Sequence, residues 1–136
     1  MPHSRNGVAA TLLTCAVVAL ATGCGSSTST APSTTTTCTA SATSTTITIS
    51  NNAVCPQNIT VPRGSQVTFV NNDTATHEMD SDPHPEHTDC PEINAVGRLV
   101  SGQSRQTSNL VVARRCGFHD HINFQTNSLK GSITIQ

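Results

Sequence analysis

Tryptophan and tyrosine are absent from the sequence, and its only aromatic residues besides histidine are Phe69, Phe118 and Phe124. Stacking platforms for nucleobases or sugar rings are therefore not expected. Charge is also sparse. Charged residues make up 11% of the chain, seven basic against eight acidic, which excludes the basic stripe of a nucleic-acid-binding protein. No Gly-rich loop follows a strand and opens a helix, so there is no phosphate cradle. No Gly-x-Ser-x-Gly elbow occurs, and no nucleophile stands beside a base. Glu78 and Asp80 flank Met79 without any other mark of an acid–base pair. The chain does not read as an enzyme. With 136 residues and so few aromatics, it has material for one domain with a core of Val, Ile and Leu. Against these absences stand six cysteines and six histidines.

The first segment reads as an address. Met1 to Gly7 is polar and carries Arg5, and Val8 to Ala21 is mostly small and apolar. Such a run is too short for a spanning helix and fits an export signal over residues 1–23. It ends Leu20-Ala21-Thr22-Gly23-Cys24, similar to a bacterial lipoprotein signal in which Cys24 is lipidated, although Ala21 stands where Leu is usual. Ordinary cleavage after Ala21 is the alternative. Both place the chain outside the cytoplasm, facing the periplasm or cell surface, where disulfides form. From Gly25 to Thr46, sixteen of 22 residues are Ser or Thr. That composition buries too little apolar area to offset the entropy of ordering, so residues 24–45 read as a tether. Cys38 inside it suggests a staple to the domain. The sequons at Asn58 and Asn72 are set aside because the signal is of bacterial type.

From residue 46 to 136 the apolar pattern has period two, which predicts an all-β domain. Thr46 to Ser50, Asn58 to Val61, Val67 to Val70 and Gly131 to Gln136 alternate or are rich in β-formers. Val96 to Val100 is a shorter candidate, and Leu110 to Ala113 reads as a buried strand. Pro62-Arg63-Gly64 and Asn71-Asn72-Asp73 mark turns. Six or seven short strands suggest a β-sandwich. Asp73 to Glu92 holds seven of the eight acidic residues together with Pro83, Pro85 and Pro91, and reads as a long functional loop.

Chemistry gathers at two places. His77 follows closely after a strand end, and Cys116-Gly117-Phe118-His119-Asp120-His121 precedes the last strand. Two distant strand ends can meet at one pole of a sandwich. Imidazole and thiolate together suit copper, whereas calcium and magnesium need hard oxygens. A lone loop histidine is ordinarily just solvated; several histidines with cysteine at converging strand ends are not. His84 and His87 lie in Asp82-Pro83-His84-Pro85-Glu86-His87. They read either as a second metal-collecting loop or as a solvated acidic segment. Prolines on both sides of His84 restrict wrapping around an ion, so the solvated segment is expected. Arg114 and Arg115 either neutralise acidic loop residues or lie exposed.

Val61-Pro62-Arg63-Gly64, then Val67 to Asp73, then His77 resemble the first half of a plastocyanin-like cupredoxin. Cys116-x-x-His119 with Leu129-Lys130-Gly131-Ser132-Ile133-Thr134-Ile135 resembles the second half. The resemblance covers about Thr46 to Gln136. It implies an eight-strand Greek-key β-sandwich with one copper ion at a pole, held by His77, Cys116 thiolate and His119. The family's axial Met has no counterpart; Leu129 stands in its place as a non-ligand, and the loss of a thioether is expected to change the potential. A second alignment resembles a cupredoxin variant with a Tyr/Phe-His-Asp-His run, in which His119 and His121 join His77. A turn beginning there, supported by Asn123 and Asn127, would bring both onto one metal. A copper–zinc superoxide dismutase is also a His-rich sandwich, but its His-x-His is missing from the first half.

Cysteine parity bears on the choice. With Cys24 lipidated, Cys38, Cys55, Cys90 and Cys116 allow three full pairings. Cys38–Cys55 with Cys90–Cys116 is the expected set, because Cys90 lies in the loop after His77 and Cys38 would pin the tether. Cys116 is then a ligand only if that bridge is absent. Three readings follow. The first is a one-electron copper carrier with Cys116 free, and the second a non-redox copper-handling protein with Cys116 bridged. The third is a metal-free surface-interaction lipoprotein. The expected partner is a redox or metal-transfer protein, the only membrane contact is a lipid anchor, and the chain is a monomer.

Overall fold

The structure is a computed structural model that describes Cys38 and residues 41–136. The expected signal, Cys24 and most of the tether lie outside the described residues. Ten strands follow in order: β1 (Ser41–Ala42), β2 (Thr46–Ser50), β3 (Ala53–Cys55), β4 (Asn58–Val61), β5 (Thr68–Asn71), β6 (His77–Ser81), β7 (Gly97–Leu99), β8 (Ser104–Gln106), β9 (Arg114–Asp120) and β10 (Lys130–Ile135). Among the described residues, the other regular elements are two single 3₁₀ turns, Ile93–Ala95 and Asn127–Leu129.

The strands form two sheets, one ordered β1-β4-β10-β9-β6-β7 and the other β3-β2-β5-β8. Alternation in the sequence decides which side chains meet between them. Ile47 and Ile49 of β2, Phe69 of β5, Ile59 and Val61 of β4, and Ile133 and Ile135 of β10 are all buried. Phe69 and Phe118 meet edge to face across the core, ring centroids 5.2 Å apart, a pairing that contributes about 1 kcal/mol beyond its buried area. The β2–β3 hairpin turns through Asn51 and Asn52, both at positive φ (51° and 58°), as a two-residue hairpin loop requires. The result is the Greek-key β-sandwich expected from the sequence, with more and shorter strands than the eight implied.

Several segments differ from expectation, and β3, β8 and β9 fall where no strand was expected. The acidic stretch is not all loop, because His77–Ser81 forms β6 between β7 and β9. This strand has a single large apolar residue, Met79, so it carries no apolar period; side-chain hydrogen bonds stand in for it. Leu110 to Ala113 is not a strand. Leu110 is buried and makes one bridge to Ser65, while Val111 and Val112 are exposed. At the other end, Ser41–Ala42 pairs in parallel with Asn58–Ile59, inside the segment read as tether. Cys38 is bridged to Cys55 and Cys90 to Cys116, with Cα–Cα distances of 5.5 and 5.7 Å. Both bridges fit an oxidising compartment.

Candidate metal centre

Two pieces of chain build the site. In β9, Cys116, Phe118 and Asp120 are fully buried, while His119 alternates to the opposite face of its sheet. His121, two residues on, falls on the side of His119, and its N–H donates to the Glu78 carbonyl at 2.6 Å. A bend begins at His121, as the Asn123 and Asn127 turn signals anticipated. Facing this pair is the loop that follows β6. The His87 N–H donates to the Pro83 carbonyl (2.7 Å) and the Asp89 N–H to the Asp82 carbonyl (2.8 Å), closing the loop on itself. Asn94 fixes it from behind, donating from Nδ2 to the His87 carbonyl and accepting the Ser81 N–H at Oδ1. The Cys90–Cys116 bridge then fastens the loop's far end to β9.

This arrangement brings His84, His87, His119 and His121 together, one nitrogen of each within 4.8 Å of all the others. Four nitrogens about a single ion at roughly 2.0–2.1 Å each span at most about 4.2 Å, so small side-chain movements would close the set. His119 is almost fully buried, and its Nδ1–H donates to Asp82 Oδ1 at 2.7 Å. That hydrogen bond leaves the Nε2 lone pair free, and Nε2 is buried with no hydrogen-bond partner. A buried polar atom left in this way costs free energy unless something binds it. His84 Nδ1 is orphaned likewise. His121 Nδ1 and His87 Nε2 face each other at 3.2 Å. The His84 ring stacks on Phe124 with centroids 4.0 Å apart and planes 6° from parallel. Burial, then the neighbouring His121, His119 and His87, push the His84 imidazole down from its ordinary value, favouring the neutral form that ligates metals. Orphaned imidazole nitrogens, a carboxylate orienting one of them and a packed ring behind another make a donor set that could hold a transition-metal ion.

Not every residue expected at the site lies there. His77 was expected beside His119 and His121, but the structure seats it, fully buried, against two carboxylates. Its Nδ1–H donates to Asp120 Oδ2 at 2.8 Å, and its Nε2 lies 3.5 Å from Asp73 Oδ2. Asp73 lies below the usual carboxylate range chiefly through the Asn52 N–H, which donates to it at 2.7 Å. Cys116, conditionally a thiolate ligand, has its sulfur in the bridge to Cys90. Leu129 is buried in the core. His84 and His87, expected as solvated, instead face the two β9 histidines. Pro83 and Pro85 do not keep them from the cluster, because the loop closes between Asp82 and Asp89 with its histidines on that side. The His-x-x-His spacing of 84 and 87, set beside the His-x-His of 119 and 121, was the signal available in the sequence. Arg114 pairs with Glu92 at 2.7 Å, a partly exposed contact of small energetic weight.

No protein-family model and no curated protein sequence matches the chain. Its fold does match solved structures. A plastocyanin from Dryopteris crassirhizoma in its oxidised form superposes with a TM-score of 0.54 at 19% identity, over 67% of this chain and 99% of that one. A purple cupredoxin from Nitrosopumilus maritimus gives 0.52 at 17% identity, over 67% and 98%. A Cu(I) amicyanin variant gives 0.53 at 13% identity, over 67% and 80%. The fold is cupredoxin-like.

Proposed function

We propose that this cupredoxin-fold chain is an exported copper-binding protein whose ion is held by His84, His87, His119 and His121. The observation that carries the reading is the buried, unpartnered Nε2 of His119, aligned by Asp82 and set among three further imidazoles. Four imidazoles with no thiolate suit Cu(II), and copper bound there would supply a Lewis-acidic, redox-capable centre. The protein holds and releases the metal and is not primarily an electron carrier, since the carrier reading needs a free Cys116 and that sulfur is bridged. Export, lipidation at Cys24, a monomeric state and a metal-transfer partner complete the proposal. Export and lipidation are supported by the sequence of the first 46 residues, and export also by two disulfides.

Titrating the full chain with Cu(II) tests this reading. One equivalent is expected to bind, giving a pale complex whose EPR spectrum shows nitrogen coupling and no intense thiolate band. The complex is expected to dissociate on acidification, because protons compete for the same lone pairs. An intense blue band would put Cys116 on the metal instead, and absence of stoichiometric binding would end the copper reading.

Gly117 offers a narrower check. A Cβ at this position would collide with the Asp82 carboxylate, whose Cγ would lie 2.9 Å away. Gly117→Ala is therefore expected to push Asp82 off His119 and weaken Cu(II) binding about 10–100-fold, the usual cost of losing an orienting carboxylate. Competition against a chelator of known affinity measures it.

A further inference from the structure

We propose that His77 and Asp120 form a positioning pair, which sets how the four histidines are presented, and that His77 does not itself bind the ion. The inference rests on the four-histidine reading above. Asp120 lies between His119 and His121 in sequence, on the opposite face of the chain, and is fully buried. Its carboxylate accepts four hydrogen bonds. Two come from its own turn, the Ile122 N–H at 3.1 Å and the Asn123 amide at 2.8 Å. The other two come from β6, the Glu78 N–H at 3.0 Å and the His77 Nδ1–H at 2.8 Å. These bonds hold the carboxylate ionised against its burial.

The consequence is mechanical. Asp120 is fixed to the turn that carries His121 and also to β6, which runs directly into the loop carrying His84 and His87. The buried His77–Asp120 hydrogen bond thereby joins the Glu78 N–H, the β6–β9 ladder and the Cys90–Cys116 bridge in setting the spacing between the two halves of the site, and it is the side-chain contact among them that fixes Asp120. No hydrophobic packing at this spot could do so, because it lacks direction. On its other side His77 Nε2, buried without a hydrogen-bond partner, lies 3.5 Å from Asp73, which is itself anchored by the Asn52 and Thr74 N–H groups.

The test compares three substitutions in the full chain, with Cu(II) affinity measured by chelator competition and ligation by EPR. His77→Leu removes the donor at similar volume and is expected to lower affinity about 10–100-fold. His77→Asn keeps an amide N–H where Nδ1 stood and is expected to bind close to wild type. Asp120→Asn alters the same contact from the other side and keeps its shape, so it reports even if the Leu variant does not fold. Its affinity is expected to fall while circular dichroism shows a folded chain. At saturation all three variants should retain the wild-type nitrogen coupling. If His77→Leu or Asp120→Asn binds as wild type, the positioning pair is refuted while the four-histidine site stands. If His77→Asn loses affinity as fully as His77→Leu and the spectrum shows one nitrogen fewer, His77 is a ligand and the inference fails. A wild-type chain that binds no copper overturns both.

Discussion

His119→Ala is expected to abolish tight copper binding, by a larger factor than the roughly 10–100-fold that follows loss of an outer orienting group. Two facts make this the largest single-residue effect on the metal. His119 is the most deeply buried of the four candidate ligands, and its tautomer is already fixed by Asp82. Its Nε2 therefore needs no reorganisation to accept an ion, whereas half-exposed His121 has its nearest carboxylate, Asp80, 3.9 Å away. Truncation also removes an unpartnered buried nitrogen from the apo chain. That gain offsets part of the lost Asp82 hydrogen bond and ring packing, so the apo variant is expected to melt only modestly below wild type. Calorimetry of the apo chain, set beside a Cu(II) titration, separates these outcomes. A large drop in apo stability would mean that His119 serves the fold instead of the metal.

Replacing both Cys90 and Cys116 with serine is expected to destabilise the domain by about 3 kcal/mol, the order of magnitude for a bridge closing a loop of this size (26 residues apart). For a domain of this length that corresponds to a melting temperature lower by on the order of 15 °C. Both sulfurs are fully buried in the core, so the serines also bring two hydroxyls to places without evident partners. Copper affinity should fall with stability, since the bridge ties the His84–His87 loop to the strand bearing His119. Thermal unfolding monitored by far-ultraviolet circular dichroism, with and without one equivalent of Cu(II), measures both effects. Unchanged copper affinity in the folded variant would show that the loop finds the site without its covalent tie.

Much of the sandwich was legible because apolar alternation is enough to specify a strand with one buried face. Thr46–Ser50, Asn58–Val61 and Gly131–Ile135 all follow that rule. β6 and β8 escaped it for different physical reasons. His77–Ser81 is buried largely through polar side chains that find partners, and Ser104–Gln106 is a wholly exposed edge strand with no face to bury. The site was half legible. His119 and His121 stood out by their spacing beside a terminal strand. His84 and His87 were masked by the prolines around them. The disulfide pairing nevertheless carried the information. Once Cys90 is joined to Cys116, His87 lies three residues from one sulfur and His119 three from the other, which brings them within reach of each other. A histidine after a strand end can serve a metal or a buried carboxylate, and the sequence did not show that Asp120 stands beside His77.

The place of β10 has a kinetic consequence. It lies between β4 and β9, pairing in parallel with one and antiparallel with the other. Ser132 meets Asn58 across a sequence separation of 74 residues. The β9–β10 hairpin can form early because its closing loop is short. Joining it to β4 must wait for a long loop closure, whose entropy is lost before any compensating contact forms. Folding should therefore be limited by the arrival of β4 at a preformed hairpin. Substitutions at Ile59 would then slow folding less than equally destabilising ones at Ile133.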